Sequence, residues 1–289
     1  MPGATVYGHD PIGEGAMSEV ISYGLGQFCE EMERLVSQEK DNAIFFEEAQ
    51  VLLKKLLPNR EFVNHVLERM VSDDAFLRSK IGTIDNNDMI LYLSPKGSFS
   101  VRLFVWLPSV EYPIHDHGSW GVVGGYANKI REVKYRRLDD GSIEGYARVE
   151  ETTGTVISLG DTVYVEPFGL HQMDSLEDQT ALSVHVYGKP LRRGFVQCFN
   201  CQDNSHYNLI APALEKRLFA VRALGTIGGD MAKNHIEKAF HDSHPLVRLE
   251  SIMAMEKVDK DSWLALLEEA VNDVSQEVKK KARAAISQM

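Results

Sequence analysis

The sequence has few cysteines, no long apolar run and no excess of positive charge. Three cysteines in 289 residues are too few for a disulfide framework, which fits a reducing compartment. No apolar run approaches the roughly 20 residues of a membrane span, and no basic segment followed by an apolar one opens the chain. The net charge of −11 disfavours nucleic acid and anionic membranes as partners. These absences predict a globular cytoplasmic protein that binds neither nucleic acid nor membrane.

Helical periodicity follows an irregular N-terminus. Residues 1–17 are rich in glycine and have no period, which indicates a flexible tail or a peripheral strand. From Ser18 apolar residues recur every three or four positions, which predicts an amphipathic helix capped by Ser18. Two further helices are expected over about residues 43–57, ending before Pro58, and about residues 59–70.

Residues 81–200 have the pattern of short β-strands. Segments that alternate or run apolar are separated by turn signals such as PKG, DDG and SLGD. The predicted strands are MILYLS, SFSVRLFVWLP, VVGGYANKIREVKYRRL, YARVE, GTVISLG, DTVYVEPF and ALSVHVYG. Short strands at this spacing predict a sandwich or barrel with a filled interior.

Three histidines in this region form a candidate metal site. His115 and His117 are two residues apart, and residues at that spacing in a strand face the same side. His171 follows 54 residues after His117, at the end of the strand-like run DTVYVEPFGLHQM. Imidazoles held on separate strands could converge to about 2.0–2.2 Å from one ion. Two histidines would not fix a metal, so the hypothesis depends on His171.

After about residue 211 the chain is helical and repeats itself. Arg217, Arg248 and Lys279 lie 31 residues apart, as do Ala223, Ala254 and Ala285. A period of this size, with small residues where helices touch, is typical of a helical solenoid. Residues 212–289 resemble HEAT-like repeats, and an ordinary helical bundle is the alternative. We expect this region to bind a protein partner or to self-associate.

The segments PIHDHG, EPFGLH and SVHVYG resemble the cysteine dioxygenase and thiol dioxygenase family of the cupin superfamily, in particular its bacterial members. The resemblance implies a mainly β cupin fold, a double-stranded β-helix barrel with N-terminal helices, over residues 18–205, followed by the all-α repeat domain. Common cupins carry a glutamate four or five residues after the second histidine, where this chain has Gly121 and Val122. The metal would therefore be held by three neutral histidines and no carboxylate.

The resemblance implies a non-haem Fe(II) enzyme that adds both atoms of O2 to a small thiol, such as cysteine or 3-mercaptopropionate, and forms a sulfinic acid. Three neutral imidazoles leave the ferrous ion its full charge, which favours binding of a thiolate. Zinc or nickel would fit the same ligands. A three-histidine dioxygenase that cleaves diketones is one alternative, and a metal-binding sensor or scaffold without turnover is another.

Other site residues follow from the same resemblance. In that family a Ser-x-His-x-Tyr run surrounds the metal ligands, so Tyr187 would approach substrate and oxygen, with His185 and Ser183 positioning it. A buried Tyr and His that satisfy one another are the alternative. Some members cross-link the tyrosine to a cysteine after the second histidine, but residues 34–197 contain no cysteine, which predicts an unmodified Tyr187.

The expected carboxylate anchor is an arginine. Met89 stands where the cysteine-specific enzymes have theirs, and Arg192 and Arg193 lie near the paired arginine of the mercaptopropionate-type enzymes. A guanidinium there could bind a substrate carboxylate through two hydrogen bonds. Solvated loop arginines are the alternative, and Arg102 is a further candidate.

Overall fold

The computed structural model describes residues 23–38, 42–81, 83–176, 178–191 and 194–289. Its first elements are four helices: α1 (Leu25–Val36), α2 (Asn42–Leu56), α3 (Glu61–Ser72) and α4 (Asp74–Lys80). The predicted start of the first helix is wrong, because Tyr23 and the extended Gly24 precede it outside the helix. Ser18 and the predicted tail lie outside the described residues, and α4 was not predicted.

Two antiparallel sheets follow the helices. Their strands are β1 (Asp88–Leu93), β2 (Phe99–Trp106), β3 (Ile114–His115), β4 (Gly121–Ala127), β5 (Ile130–Arg137), β6 (Val149–Ile157), β7 (Thr162–Val165), β8 (Leu170–Ser175), β9 (Ala181–Gly188), β10 (Phe195–Asn200) and β11 (Ser205–Ile210). One sheet has the order β1-β2-β9-β4-β7 and the other β11-β10-β3-β8-β5-β6. Together with the helical regions before and after them, these sheets confirm the predicted mainly β domain with N-terminal helices and a following all-α region.

Several strand boundaries differ from the sequence prediction. The segment predicted as one strand from Val122 to Leu138 is divided into β4 and β5, because Asn128 between them adopts a left-handed backbone with φ 55°. The segments YARVE and GTVISLG contribute to a single strand, β6. His171 belongs to a strand of its own, β8, and the hairpin of β10 and β11 was not predicted.

The N-terminal helices cover one face of the five-stranded sheet. Several of the strand residues that pack in this core are fully buried, among them Val101 and Leu103 on β2 and Val184 and Val186 on β9. Gly124 on β4 leaves room for the Leu57 side chain, since a Cβ atom at this position would lie 2.7 Å from Cδ1 of Leu57. Because side chains alternate along a strand, the intervening residues of β2 and β9 face the other side of the sheet, inside the barrel.

The C-terminal region consists of α5 (Pro212–Ile227), α6 (Gly229–Phe240), α7 (Pro245–Val258), α8 (Lys260–Ala270) and α9 (Gln276–Ser287). Its 31-residue period has a structural counterpart. Arg217 forms an ion pair with Asp242 at 2.8 Å, and the next repeat places Arg248 against Asp273 at 2.7 Å. Each pair joins one repeat to the next, so the repeated charges stabilise the stacking of the units. No helix in the described ranges combines the length and hydrophobicity of a membrane-spanning segment.

Candidate metal centre

Two strands and one adjoining loop bring the predicted histidines together. β3 pairs with β8 so that His115 lies opposite His171. His117 lies two residues beyond the end of β3 rather than on the strand. The possible ligand atoms of the three imidazoles all lie within 4.8 Å of one another, and Nε2 of His117 is 2.8 Å from Nε2 of His171.

This geometry fits a metal ion. Two nitrogens at right angles and about 2.0–2.1 Å from a common ion lie about 2.9 Å apart, close to the separation between His117 and His171. Burial lowers the pKa of His115 to about 3 and that of His117 well below its usual range. These imidazoles are therefore neutral, as metal coordination requires. Among the described residues no acidic side chain joins the group.

A buried glutamate, which the sequence analysis missed, lies behind His171. Glu132 on β5 places Oε1 2.9 Å from Nδ1 of His171, and both side chains are 1% exposed. Its other oxygen, Oε2, has no hydrogen-bond partner among the residues that the structure describes. A carboxylate that accepts the Nδ1 proton leaves Nε2 free for a metal and makes it more basic. The sequence offered one signal, because Glu132 is two residues from the apolar Ile130 and residues at that spacing in a strand face the same side.

His115 is oriented by the backbone. Its Nδ1 lies 2.9 Å from the carbonyl oxygen of Pro113, which can only accept a hydrogen bond. The proton therefore resides on Nδ1, and Nε2 is the nitrogen available for a metal. Both His115 and His171 thus have the outer hydrogen bond that holds a metal-binding imidazole in place.

The three residues predicted on β9 form a row of hydrogen-bonded side chains that ends at His117. Oγ of Ser183 lies 2.7 Å from Nε2 of His185, and Nδ1 of His185 lies 2.7 Å from the Tyr187 hydroxyl. That hydroxyl is 3.3 Å from Nε2 of His117. Trp106 extends the row, since its indole N–H donates to Oγ of Ser183 at 2.8 Å. Burial raises the pKa of Tyr187 well above its usual range, so the residue is a neutral phenol.

Gly121 allows Tyr187 to occupy this position. The two residues are opposite one another on β4 and β9, and a Cβ atom on Gly121 would lie 2.8 Å from Cε1 of the tyrosine ring. Val122, the other position considered from the sequence, is fully buried in the core beneath the helices. Gly121 is therefore the residue after the second histidine that faces the site.

Arg102 is the described arginine that lies beside the site. It is opposite His185 in the pairing of β2 with β9, and its guanidinium carbon is 5.9 Å from the centre of the Tyr187 ring. It lines a cavity of about 470 Å³ together with His115 and His117. Arg192 and Arg193, the predicted carboxylate anchors, lie outside the described residues.

The fold and the site together define a β domain of two antiparallel sheets with a three-histidine cluster that could hold a metal ion. The C-terminal region matches a family model, since residues 209–287 match HEAT repeats. This agrees with the repeat found in the sequence.

Parts of the chain are similar to solved cupin structures. A cupin 2 conserved barrel domain protein from Salinispora arenicola is 20% identical, with 37% of this chain and 79% of that chain covered and a TM-score of 0.26. An RmlC-like cupin protein from Ralstonia eutropha is 14% identical, with coverages of 50% and 80% and a TM-score of 0.29. The DMSP lyase DddQ from Ruegeria pomeroyi is 14% identical, with coverages of 32% and 38% and a TM-score of 0.23. The first solved structures that match are covered over only 38% to 59% of their length.

Proposed function

We propose that the protein is a non-haem Fe(II)-dependent thiol dioxygenase. The observation that supports this proposal is the cluster of His115, His117 and His171, which no acidic side chain of the described residues joins. In the reaction a thiol RSH and O2 combine to a sulfinic acid RSO2H, so both oxygen atoms end on sulfur. Ferrous iron, when bound, would supply neighbouring positions for the thiolate and dioxygen.

The residues around the histidines have separate tasks in this proposal. Tyr187 holds a proton on its hydroxyl oxygen close to His117 and can donate a hydrogen bond to substrate or oxygen in the cavity. His185 positions that hydroxyl through the contact of 2.7 Å, and Ser183 positions His185. Because all three side chains are at most 7% exposed, water does not compete for these hydrogen bonds.

Substrate binding requires groups outside the metal ligands. Arg192 and Arg193 remain our proposed anchors for a substrate carboxylate, and Arg193→Ala is expected to raise KM for carboxylated thiols alone. Fe(II) is the proposed metal. Zinc, which has no redox chemistry, would in the same ligands leave a binding protein without oxygenase activity. In that case the helical repeats would provide the functional surface, which would bind a protein partner or a second copy of the chain.

The test combines metal analysis with oxygen uptake. Protein purified without oxygen should contain stoichiometric iron, and His171→Ala should lose it while remaining folded. Oxygen uptake is then measured with cysteine, 3-mercaptopropionate, cysteamine and a diketone, and the product is identified by mass spectrometry. A sulfinic acid supports the proposal. Cleavage of the diketone alone, or no uptake across the panel by iron-loaded protein, would refute it.

A further inference from the structure

The first helix of the repeats, α5, exposes a face that the equivalent helices of the later repeats bury. The 31-residue period relates residues 216, 220 and 223 of α5 to residues 247, 251 and 254 of α7 and to residues 278, 282 and 285 of α9. In α7 all three positions are at most 3% exposed, and in α9 the first two are fully buried. In α5 the corresponding Lys216, Ala220 and Ala223 are exposed. In the described repeats this face is therefore covered wherever another repeat precedes it.

The contact between α5 and α7 shows how such a face is covered. A Cβ atom on Gly225 of α5 would lie 2.8 Å from Cβ of Ala254 of α7, so small residues bring the two helices close together. Beside this contact, Arg222 of α5 forms an ion pair of 2.9 Å with Glu250 of α7. Ala223 is the equivalent of Ala254, and it offers the same small surface to a further helix.

Apolar side chains make the exposed side of α5 different from the equivalent side of α7. Phe219 stands where α7 has Glu250, and it is 53% exposed. Ile227 is 77% exposed and lies seven residues after Ala220, on the same side of the helix. We call the residues that share this side the open face of α5, namely Lys216, Phe219, Ala220, Ala223 and Ile227. Exposed apolar residues grouped in this way indicate a surface that another protein chain covers.

Head-to-tail stacking of the repeats of two copies would place like charges together. The contact at Gly225 aligns Leu218 of α5 with Val247 of α7, and both are buried in the core of the repeats. By the 31-residue period, Lys280 takes the place of Leu218 at the exposed side of α9. The same register between copies would set Lys280 of one copy against Lys216 of the other, since Lys216 takes the place of Val247. Mutual contact of two open faces avoids this repulsion.

We infer that the open face of α5 binds the open face of a second copy of the chain, in a two-fold symmetric dimer that does not depend on the proposed metal chemistry. Two antiparallel α5 helices centred between Ala220 and Ala223 pack these small residues against one another and cover both Phe219 rings. Lys216 of each copy then lies near the end of the other α5 and can pair with the partner's Asp230, which is in the first turn of α6. The two Lys216 side chains stand at opposite ends of the helix pair, so they do not repel each other.

The first test measures association of the full chain by sedimentation equilibrium from about 1 to about 200 µM. We expect a reversible dimer with a dissociation constant on the order of 10 µM, because one helix pair forms an interface at the small end of the known range. Phe219→Glu and Ile227→Glu should each raise that constant more than about tenfold, since two-fold symmetry places every substitution in the interface twice. Both side chains are more than half exposed, so we expect the variant monomers to remain folded. Val274→Glu, at a residue 92% exposed between α8 and α9, should change the dissociation constant less than about twofold.

The second test locates the interface by cross-linking. Cys201 is the exposed cysteine of the chain, whereas Cys29 and Cys198 are buried, so Cys201→Ser removes the reactive background. Ala223→Cys in this background should give a covalent dimer with a short bis-maleimide, because contact between the open faces brings the two introduced thiols together. Val274→Cys in the same background should give none, because this residue lies outside the open face.

Each outcome decides the inference. A dimer that both glutamate variants dissociate, with cross-linking through Ala223→Cys, supports it whether or not oxygen uptake occurs. A wild-type monomer at every concentration overturns it. In that case, a fall in the melting temperature of Phe219→Glu would show that another segment of the same chain covers the open face, and an unchanged melting temperature would leave the face to a different protein. A dimer that survives both glutamate substitutions would also overturn the inference, because it would use another surface.

Discussion

Replacing Glu132 by glutamine is expected to weaken metal binding while the barrel remains folded. Glutamine has nearly the same shape, and its amide oxygen can still accept the proton on Nδ1 of His171. It lacks the negative charge that makes Nε2 of His171 a stronger ligand. Since the two side chains are 1% exposed, water cannot replace the lost carboxylate.

The expected loss of metal affinity follows from the contact between Glu132 and His171. Mutation of the residue that hydrogen-bonds to a metal ligand in this way typically lowers metal affinity about 10- to 100-fold, equivalent to about 1.4–2.7 kcal/mol. We expect the upper part of this range because the pair is shielded from solvent. Glu132→Ala should weaken binding further and also destabilise the metal-free protein by about 1–3 kcal/mol, since the Nδ1 proton of His171 would then be buried without an acceptor.

The assay is competition for the metal with a chromophoric chelator in the absence of oxygen. Thermal unfolding of the metal-free variants shows whether each is folded. Glu151→Gln is the matched control, because Glu151 lies on the adjacent strand β6 and its side chain is 55% exposed beside Arg131. If Glu132→Gln binds metal within about twofold of the wild type, the carboxylate plays no part in the metal centre and our reasoning fails.

Three further predictions concern Tyr187 on β9, the ion pairs of the helical repeats and the carboxyl group of Asp88. Tyr187→Phe should keep its metal but lower the oxygen-uptake rate about 100-fold or more, and an unchanged rate would exclude a role for the hydroxyl. Arg248→Ala should lower the free energy of unfolding by about 3–5 kcal/mol because it leaves Asp273 buried and unpaired. In contrast, Arg217→Ala should lower the free energy of unfolding by less than about 1 kcal/mol, because Arg217 occupies the equivalent position with a side chain that is 56% exposed. Both free energies are measured by urea titration, and similar losses of stability in the two variants would contradict this argument. The free energy of unfolding should fall as pH rises from about 4 to about 6. Burial raises the pKa of Asp88 from 3.8 to about 6, so in this range the folded protein retains a proton that the unfolded chain has released. Asp88→Asn should flatten this part of a pH series of unfolding curves, and an unchanged slope would show that Asp88 does not titrate there.

The sequence predicted the features that follow from a fixed period. The spacing of two residues correctly placed Ser183, His185 and Tyr187 on one side of β9, since a strand alternates its side chains. The 31-residue repeat was likewise visible, because equivalent positions make equivalent contacts in a solenoid. His117 was close to the predicted place although its strand ends at His115.

The features that were missed depend on which strands lie side by side. Glu132 is an ordinary charged residue in the sequence, and only the pairing of β5 with β8 brings it to His171. The contact between Arg102 and Asp88 similarly requires β1 to lie against β2. The division between β4 and β5 depended on the left-handed backbone of Asn128, which the strand-like residues around it concealed.

Trp106 sets the polarity of the hydrogen bonds that end at the metal centre. An indole nitrogen can only donate, so the Ser183 oxygen accepts from Trp106, and the Ser183 hydrogen has His185 as its remaining acceptor among the described neighbours. His185 consequently has its proton on Nδ1 and donates it to the Tyr187 oxygen. The phenolic hydrogen is then directed away from His185 and into the cavity. A tryptophan three hydrogen bonds away thus orients the proton that a ligand at the three histidines would meet.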